Sequence, residues 1–268
     1  MSTNTHKGTA LITGASSGIG AVYADRLAAR GYDLLLVARR ADRLNALADK
    51  LSTAHGVQVR VLVADLAKES DLASVEAALQ RDASVRLLVN NAGIGRMRPF
   101  AQSSAEDSVS QVALNITALT RLTHAVLPGF IARNEGAVIN IASVLAVQAL
   151  PISSVYSATK AYVLQFSRGL QQELASTNVR VQSVMPAATA TEIWSEETSG
   201  VPLSALQKET VMTADDLVDA ALAGFDKGEA VTWPSVGDAG LWDRFDAARG
   251  ALFAATQTGT PAARYRKA

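Results

Sequence analysis

An α/β fold with a doubly wound, seven-stranded, mostly parallel sheet and helices on both faces is predicted by three features of the 268-residue sequence. Short apolar runs rich in β-branched residues alternate with amphipathic helical patterns along most of the chain. The runs are continuous rather than interrupted at every second position, as expected of strands buried on both faces. The first run, Ala10 to Ile12, leads into Thr13-Gly14-Ala15-Ser16-Ser17-Gly18-Ile19-Gly20 and then a helical pattern. A strand, a glycine turn and a helix therefore follow one another.

Candidate strands are Thr9 to Thr13, Asp33 to Ala38, Val57 to Val63, Arg86 to Asn90, Ala137 to Ala142, Val179 to Met185 and Ala230 to Thr232. Helical patterns fall between them, near Ile19 to Arg30, Ala41 to Ala54, Lys68 to Asp82, Ala105 to Ala132, Val155 to Ser176 and Ala214 to Lys227. In the fourth, Val109, Val112, Ile116, Leu119, Val126 and Phe130 recur at helical spacing and predict an apolar stripe that packs on the sheet or on a partner helix. No repeat or linker divides the chain, so one domain is expected. Residues 187–212, polar and rich in turn formers, predict a lid or a disordered segment. A tail begins at about residue 233, with a helix from Ala239 to Ala255 and a basic end at Arg264, Arg266 and Lys267 that is either solvated or packed on another subunit.

Composition narrows the function. Basic and acidic residues number 25 each, which gives no case for nucleic-acid or membrane-surface binding. There is no cysteine, so disulfides, thiolate catalysis and cysteine-ligated metals are excluded, and three scattered histidines (His6, His55, His124) argue against a histidine metal site. The polar start, Met1 to Gly8, leaves no room for a signal peptide, and the most apolar stretch is too short to span a bilayer. A soluble, cytoplasmic protein is expected.

The glycine turn points the free N–H groups and positive dipole end of a helix at one place, an arrangement suited to a phosphate. Gly14 suits the tight turn, Gly18 a close approach of backbone to anion, and Gly20 close packing of helix on strand. No Gly-Lys-Ser/Thr follows to make a mononucleotide loop. The second strand ends at Ala38-Arg39-Arg40, with no acidic residue for a free adenosine ribose. Arginines at a helix start are disfavoured by its dipole, so they are either plain exposed residues or partners of an anion such as the 2′-phosphate of NADP. Asp65 ends the third strand, where it can meet the adenine amino group, cap the next helix, or both. Asn90-Asn91-Ala92-Gly93 ends the fourth, as a ligand-hugging edge or a structural turn.

Ser143 stands at the end of the fifth strand, and Tyr156 and Lys160, four apart, share one face of the next helix. An ammonium beside the phenol lowers its pKa toward neutrality, and Ser143 can hold a substrate oxygen while Tyr156 passes the proton. Tyrosine and lysine at this spacing also occur as an ordinary packed and solvated pair.

With these motifs in this order, the chain resembles the short-chain dehydrogenase/reductase family in its compact single-domain form, over roughly Gly8 to Thr232. The resemblance implies a Rossmann-type fold. It implies that Tyr156 is the general acid/base, Lys160 the residue that binds nicotinamide ribose and lowers the tyrosine pKa, Ser143 the carbonyl-orienting serine, and Asn115 the holder of a proton-relay water. It places the cofactor on Gly14, Ser16, Ser17, Gly18, Ile19, Gly20, Arg39, Asp65, Asn91, Ala92 and Gly93, on Tyr156 and Lys160, and on Pro186, Thr189 and Thr191. Where the family usually has Pro-Gly, this chain has Pro186-Ala187; if that position requires positive φ, the alanine is strained by about 1 kcal/mol.

The implied function is an NADPH-dependent oxidoreductase that reversibly reduces an apolar ketone or aldehyde to an alcohol, with NAD(H) as the second cofactor. Alternatives are an NAD-linked alcohol dehydrogenase and a cofactor-binding regulatory protein. Residues 94–100, 144–152 and the lid with Ile193 and Trp194 form the expected substrate walls, in which Arg96 and Arg98 are read as solvated in preference to substrate-binding. A homodimer or homotetramer built on the two long helices is implied, with no nucleic acid, membrane or metal.

Overall fold

The computed structural model describes residues 7–266, which leaves His6 and Lys267 outside it. Seven strands form one sheet: β1 (Thr9–Thr13), β2 (Asp33–Ala38), β3 (Val59–Val63), β4 (Val85–Asn90), β5 (Gly136–Ile141), β6 (Val179–Val184) and β7 (Val231–Thr232), in the order β3-β2-β1-β4-β5-β6-β7. Every neighbouring pair is parallel. The strand order reverses between β1 and β4, so the carboxyl ends of these two strands frame the crevice where ligands of such sheets bind.

The period of two in each strand sorts its side chains onto two faces. Ala10, Ile12, Leu34, Leu36, Val89 and Ile139 face one side, against Tyr23 and Leu27 of α1 (Gly18–Ala29), Leu44 and Leu51 of α2 (Ala41–His55) and Val218 and Leu222 of α7 (Ala214–Asp226). Leu11, Leu35, Val37, Leu88 and Val138 face the other. They pack on Leu72 and Val75 of α3 (Glu69–Arg81), Leu122, Val126 and Phe130 of α5 (Leu119–Ala132) and Leu170 of α6 (Ser154–Glu173). Because both faces are covered, the strands carry apolar residues at successive positions.

The helical pattern from Ala105 to Ala132 is three segments: α4 (Ala105–Val112), a π-helical stretch (Ala113–Ala118) and α5. A π turn holds one extra residue and rotates everything beyond it by about 100°. The expected stripe is therefore split. Leu119, Val126 and Phe130 are buried, whereas Val109 and Val112 stand in solvent at 66% and 42% exposure. The inward positions before the π stretch are Gln111 and, within it, Asn115, both buried.

A chain of buried amides ties the layers below the crevice. Asn90 donates to Asn140 (2.9 Å) and to Thr123 (3.0 Å), and Asn140 donates to Ser167 (2.9 Å), linking β4, β5, α5 and α6. Unpaired polar groups at this depth would be costly, so the network fixes the relative position of these elements.

The chain divides into two compact units, the first ending at Pro234 and the second beginning at Ser235. The second contains α8 (Gly240–Ala255), on which Trp242 and Phe245 stack and Leu252 and Phe253 are exposed. Among the described residues no helix is long and apolar enough to cross a membrane, and no cluster of three His, Asp or Glu residues could hold a metal ion.

Candidate active site

The glycine turn is built against the end of β4. Gly14 has φ +66°, a conformation that a side chain disfavours. A Cβ on Gly20 would stand 2.4 Å from the Gly14 carbonyl oxygen and 2.5 Å from Asn91 Nδ2, so α1 can start this close to the turn only with glycine there. Thr13 Oγ1 accepts the N–H groups of Asn91 and Ala92, both at 3.0 Å, and donates to the Val89 carbonyl. Asn91 Nδ2 returns a 2.8 Å bond to the Thr13 carbonyl.

Ser17, extended at the N-cap of α1, makes no side-chain cap, and no acidic residue lies in the first turn. Instead the hydroxyls of Ser16 and Ser17 accept from Arg40 Nη2 at 3.0 and 2.7 Å. Ile19 is half-buried and packs on the core beneath. An uncapped helix start, free of acids and walled by positions where a Cβ would collide, fits the pyrophosphate of a dinucleotide.

Of the two arginines after β2, Arg39 is exposed and has no partner among the described residues. Arg40 is held by the turn and by Glu192 of the lid. Asp65 lies beyond β3, where one carboxylate oxygen accepts the Ala67 N–H at 3.1 Å; it shapes the approach to α3 but is not its N-cap, which is Lys68.

Lys160 is buried and donates to the Ile141 carbonyl at 2.8 Å, with its Nζ 5.7 Å from the centre of the Tyr156 ring. Burial, with no carboxylate to offset it, lowers the ammonium pKa from 10.5 to about 8. Around the pair, a Cβ on Gly93 would lie 3.6 Å from Lys160 Nζ, and one on Gly95 would lie 3.2 Å from the Tyr156 ring. The loop after β4 therefore lies against both residues.

Burial pushes the Tyr156 phenol up to about 12, against a smaller downward pull from its hydrogen bond with Ser143. The net depression expected beside Lys160 is thus not found in the protein alone, where desolvation of the phenol sets the direction. Ser143, buried two residues beyond β5, also accepts the Leu145 N–H at 3.1 Å.

Asn115 is an anchor. Its Oδ1 accepts the Ile94 N–H at 2.9 Å, and its Nδ2 donates to the Ile94 carbonyl at 2.8 Å and to Thr159 at 3.0 Å. Gln111 does the same one turn earlier, accepting the Arg96 N–H at 3.0 Å. Nothing local in the sequence marked Gln111, Thr159 or Gly95, whose partners lie in other segments.

Residues 187–212, the expected lid, form an ordered, irregular segment. The Pro186 carbonyl accepts the Val144 N–H at 2.9 Å, and Ala187 is not among the residues with positive φ, so the strain considered for it is absent. Thr189 bridges to Met212 and its carbonyl receives Trp194 Nε1 at 2.9 Å. Thr191 lies over the turn, its Cγ2 3.0 Å from where a Gly18 Cβ would stand. Arg96, expected to be solvated, instead donates to the carbonyls of Glu197 and Thr198, both at 2.6 Å, and tethers the lid to the β4 loop. Arg98 is exposed, as expected.

Glu192 escaped the sequence reading. Arg43 and Arg40 hold its carboxyl down to about 2.

The structure thus brings Ser143, Tyr156, Lys160, Asn115 and Gly93 together at the carboxyl end of β4 and β5, with the glycine turn, Asn91 and Thr191 joined beside them. Comparison with known proteins identifies the fold and the family. A short-chain dehydrogenase from Sphingobium yanoikuyae in complex with NADPH superposes with a TM-score of 0.92 at 48% identity, over 96% of this chain and all of that one. The bulky-bulky ketone specific alcohol dehydrogenase from Comamonas testosteroni gives 0.90 at 42% identity, over 98% of this chain and all of that one. A very-long-chain 3-oxoacyl-CoA reductase from Anas platyrhynchos is 36% identical over 188 residues, 69% of this chain; the chain spans 60% of that reductase's length. Residues 8–201 match the short chain dehydrogenase family, and the chain belongs to it.

Proposed function

We propose that the protein is an NADPH-dependent oxidoreductase that reduces an apolar ketone to a secondary alcohol and runs the reverse oxidation with the same groups. The observation that carries this reading is Lys160, a buried lysine with no carboxylate beside it, set against the ring of Tyr156, which in turn bonds Ser143. Burying an ammonium without a counter-charge is costly, and such perturbed groups cluster where chemistry needs them.

When bound, the reduced nicotinamide supplies the hydride. Ser143 holds the carbonyl oxygen, and Tyr156 gives it a proton. Lys160, with one donor on Ile141 and two others available, binds ribose hydroxyls and favours the phenolate once charge gathers at the site. Asn115 fixes the loop at Ile94 with its side chain, which leaves the relay water to its backbone carbonyl, since a π turn interrupts the regular pairing of carbonyls there.

The glycine turn, with Ser16, Ser17, Ile19 and Asn91, would hold the pyrophosphate, Asp65 the adenine, and Arg39 the 2′-phosphate; Ala92, Gly93, Pro186, Thr189 and Thr191 would flank the nicotinamide. The NADPH bound by the S. yanoikuyae protein supports the choice of cofactor. The specificity named for the C. testosteroni enzyme supports ketones with bulky substituents on both sides, in keeping with Ile94, Val144, Leu145 and Trp194 at the walls.

The decisive experiment is NADPH consumption by wild type and Tyr156→Phe across apolar ketones and aldehydes, with NADH in parallel. Turnover that needs Tyr156, with NADPH affinity preserved in the variant, supports the reading. Turnover surviving in Tyr156→Phe refutes the role of the phenol, and a wild type that turns over NADH in preference favours the NAD-linked alcohol dehydrogenase. A regulatory protein would have no need of an intact Ser143, Tyr156, Lys160 and Asn115 set.

A homodimer or homotetramer belongs to the same proposal, supported by Phe100, Val109 and Val112, which are exposed near the long helices; sedimentation as a monomer would remove it. So does a cytoplasmic location, which cell fractionation tests.

A further inference from the structure

Residues 191–192 join the lid to the cofactor side of the molecule. Thr191 rests on Gly18. Glu192 Oε2 lies 2.7 Å from Arg40 Nη1, and its other oxygen pairs with Arg43. Arg40 in turn donates to Ser16 and Ser17. A continuous path therefore runs from lid to carboxylate to guanidinium to glycine turn.

The chemistry of that path is unusual in one respect. Arg40 and Arg43 lie at the start of α2, where its dipole disfavours cations, and they share a single anion that comes from the lid. A phosphate dianion is a stronger ligand for paired guanidinium groups than one carboxylate. All three side chains are well exposed, at 39%, 45% and 54% for Arg40, Arg43 and Glu192. The contact is therefore weak enough to be displaced by a competing anion.

Resting on the NADPH reading above, we infer that Glu192 is a positioning residue that competes with the cofactor's 2′-phosphate, held first by the neighbouring Arg39, for the additional contacts of Arg40 and Arg43. A phosphate-bearing cofactor takes the arginines and frees Glu192 and the residues after it, while Thr191 stays beside the cofactor. A phosphate-free cofactor leaves the lid latched. Glu192 thereby couples the choice of cofactor to the state of the lid, and the coupling is reciprocal: what weakens the latch strengthens phosphate binding.

The test uses adenosine 2′,5′-bisphosphate and AMP as probes, titrated calorimetrically into wild type, Glu192→Gln and Glu192→Asp. Glu192→Gln should bind the bisphosphate about three- to fivefold more tightly than wild type, with AMP affinity the same in both and Glu192→Asp close to wild type. In wild type, the bisphosphate should also speed proteolysis within residues 193–212 relative to AMP, and in Glu192→Gln that difference should vanish. If wild type prefers the bisphosphate to AMP but Glu192→Gln leaves that preference unchanged or lowers it, the latch is wrong and the cofactor reading stands. If no variant distinguishes bisphosphate from AMP, both fall.

Discussion

Lys160 Nζ, near the start of α6, donates to the carbonyl oxygen of Ile141 at the end of β5, 2.8 Å away, and this bond holds the ammonium inside the protein rather than at its surface. The burial has a consequence for stability. The lysine pKa falls from 10.5 to about 8 on folding, so between these values the unfolded chain holds a proton that the folded protein has lost. Stability therefore rises with pH across that window, and the penalty is fully present below pH 8. Relative to Lys160→Met, the wild type should gain about 3 kcal/mol between pH 7.5 and 10.5, read from urea unfolding at each pH. Parallel curves for the two proteins would show that Lys160 is not held as the structure has it.

Gly20→Ala tests the seat of α1. The added Cβ would meet the Gly14 carbonyl at 2.4 Å, so backbone has to move. A loss of about 2–3 kcal/mol is expected, together with loss of cofactor binding. Gly56→Ala is the control. It has φ +67° with open space around it, and should cost only about 1 kcal/mol and leave binding alone.

Thr159→Val keeps the shape of a side chain that is 1% exposed and removes the acceptor of Asn115 Nδ2. An unpaired buried N–H should destabilise the protein by about 1–3 kcal/mol. If Asn115 positions the relay, kcat should fall roughly tenfold while cofactor affinity holds. A stability loss with kcat unchanged would make the contact purely structural.

Arg39→Asp separates the two cofactors. Arg39 is exposed and has no partner among the described residues, so its loss should hardly affect folding. Removing one charged hydrogen bond to the 2′-phosphate should weaken NADPH by about 1.5–3 kcal/mol and leave NADH nearly unchanged, measured by fluorescence titration. Equal weakening of both would count against an NADP role for this residue.

The sheet was legible in the sequence because strands buried on both faces must be apolar at consecutive positions, as Leu34 to Val37 are. Boundaries moved by a residue or two at most strands, as at β5, which runs from Gly136 to Ile141, and most visibly where a turn carries apolar residues of its own, as at Val57 before β3. The glycine turn and the tyrosine–lysine face were legible because each lies within a few residues. Features joined across long separations were not. Glu192 reaches Arg40 over 152 positions and Arg96 reaches Glu197 over 101, so neither contact leaves a local pattern. The burial of Tyr156 was not legible, since spacing reports which charge is near a phenol but not how much water is missing from it.

The π stretch at Ala113–Ala118 makes the long helix one residue longer than its two ends require. That surplus puts Gln111 and Asn115 beneath the β4 loop and still lets Leu119 and Phe130 reach the sheet. The helix thus carries two registers, one serving the site and one serving the core, and a deletion of one alanine there would force it to keep a single register. The protein would then retain either its packing or its grip on Ile94, and the choice would show directly how far fold and chemistry can be uncoupled in this chain.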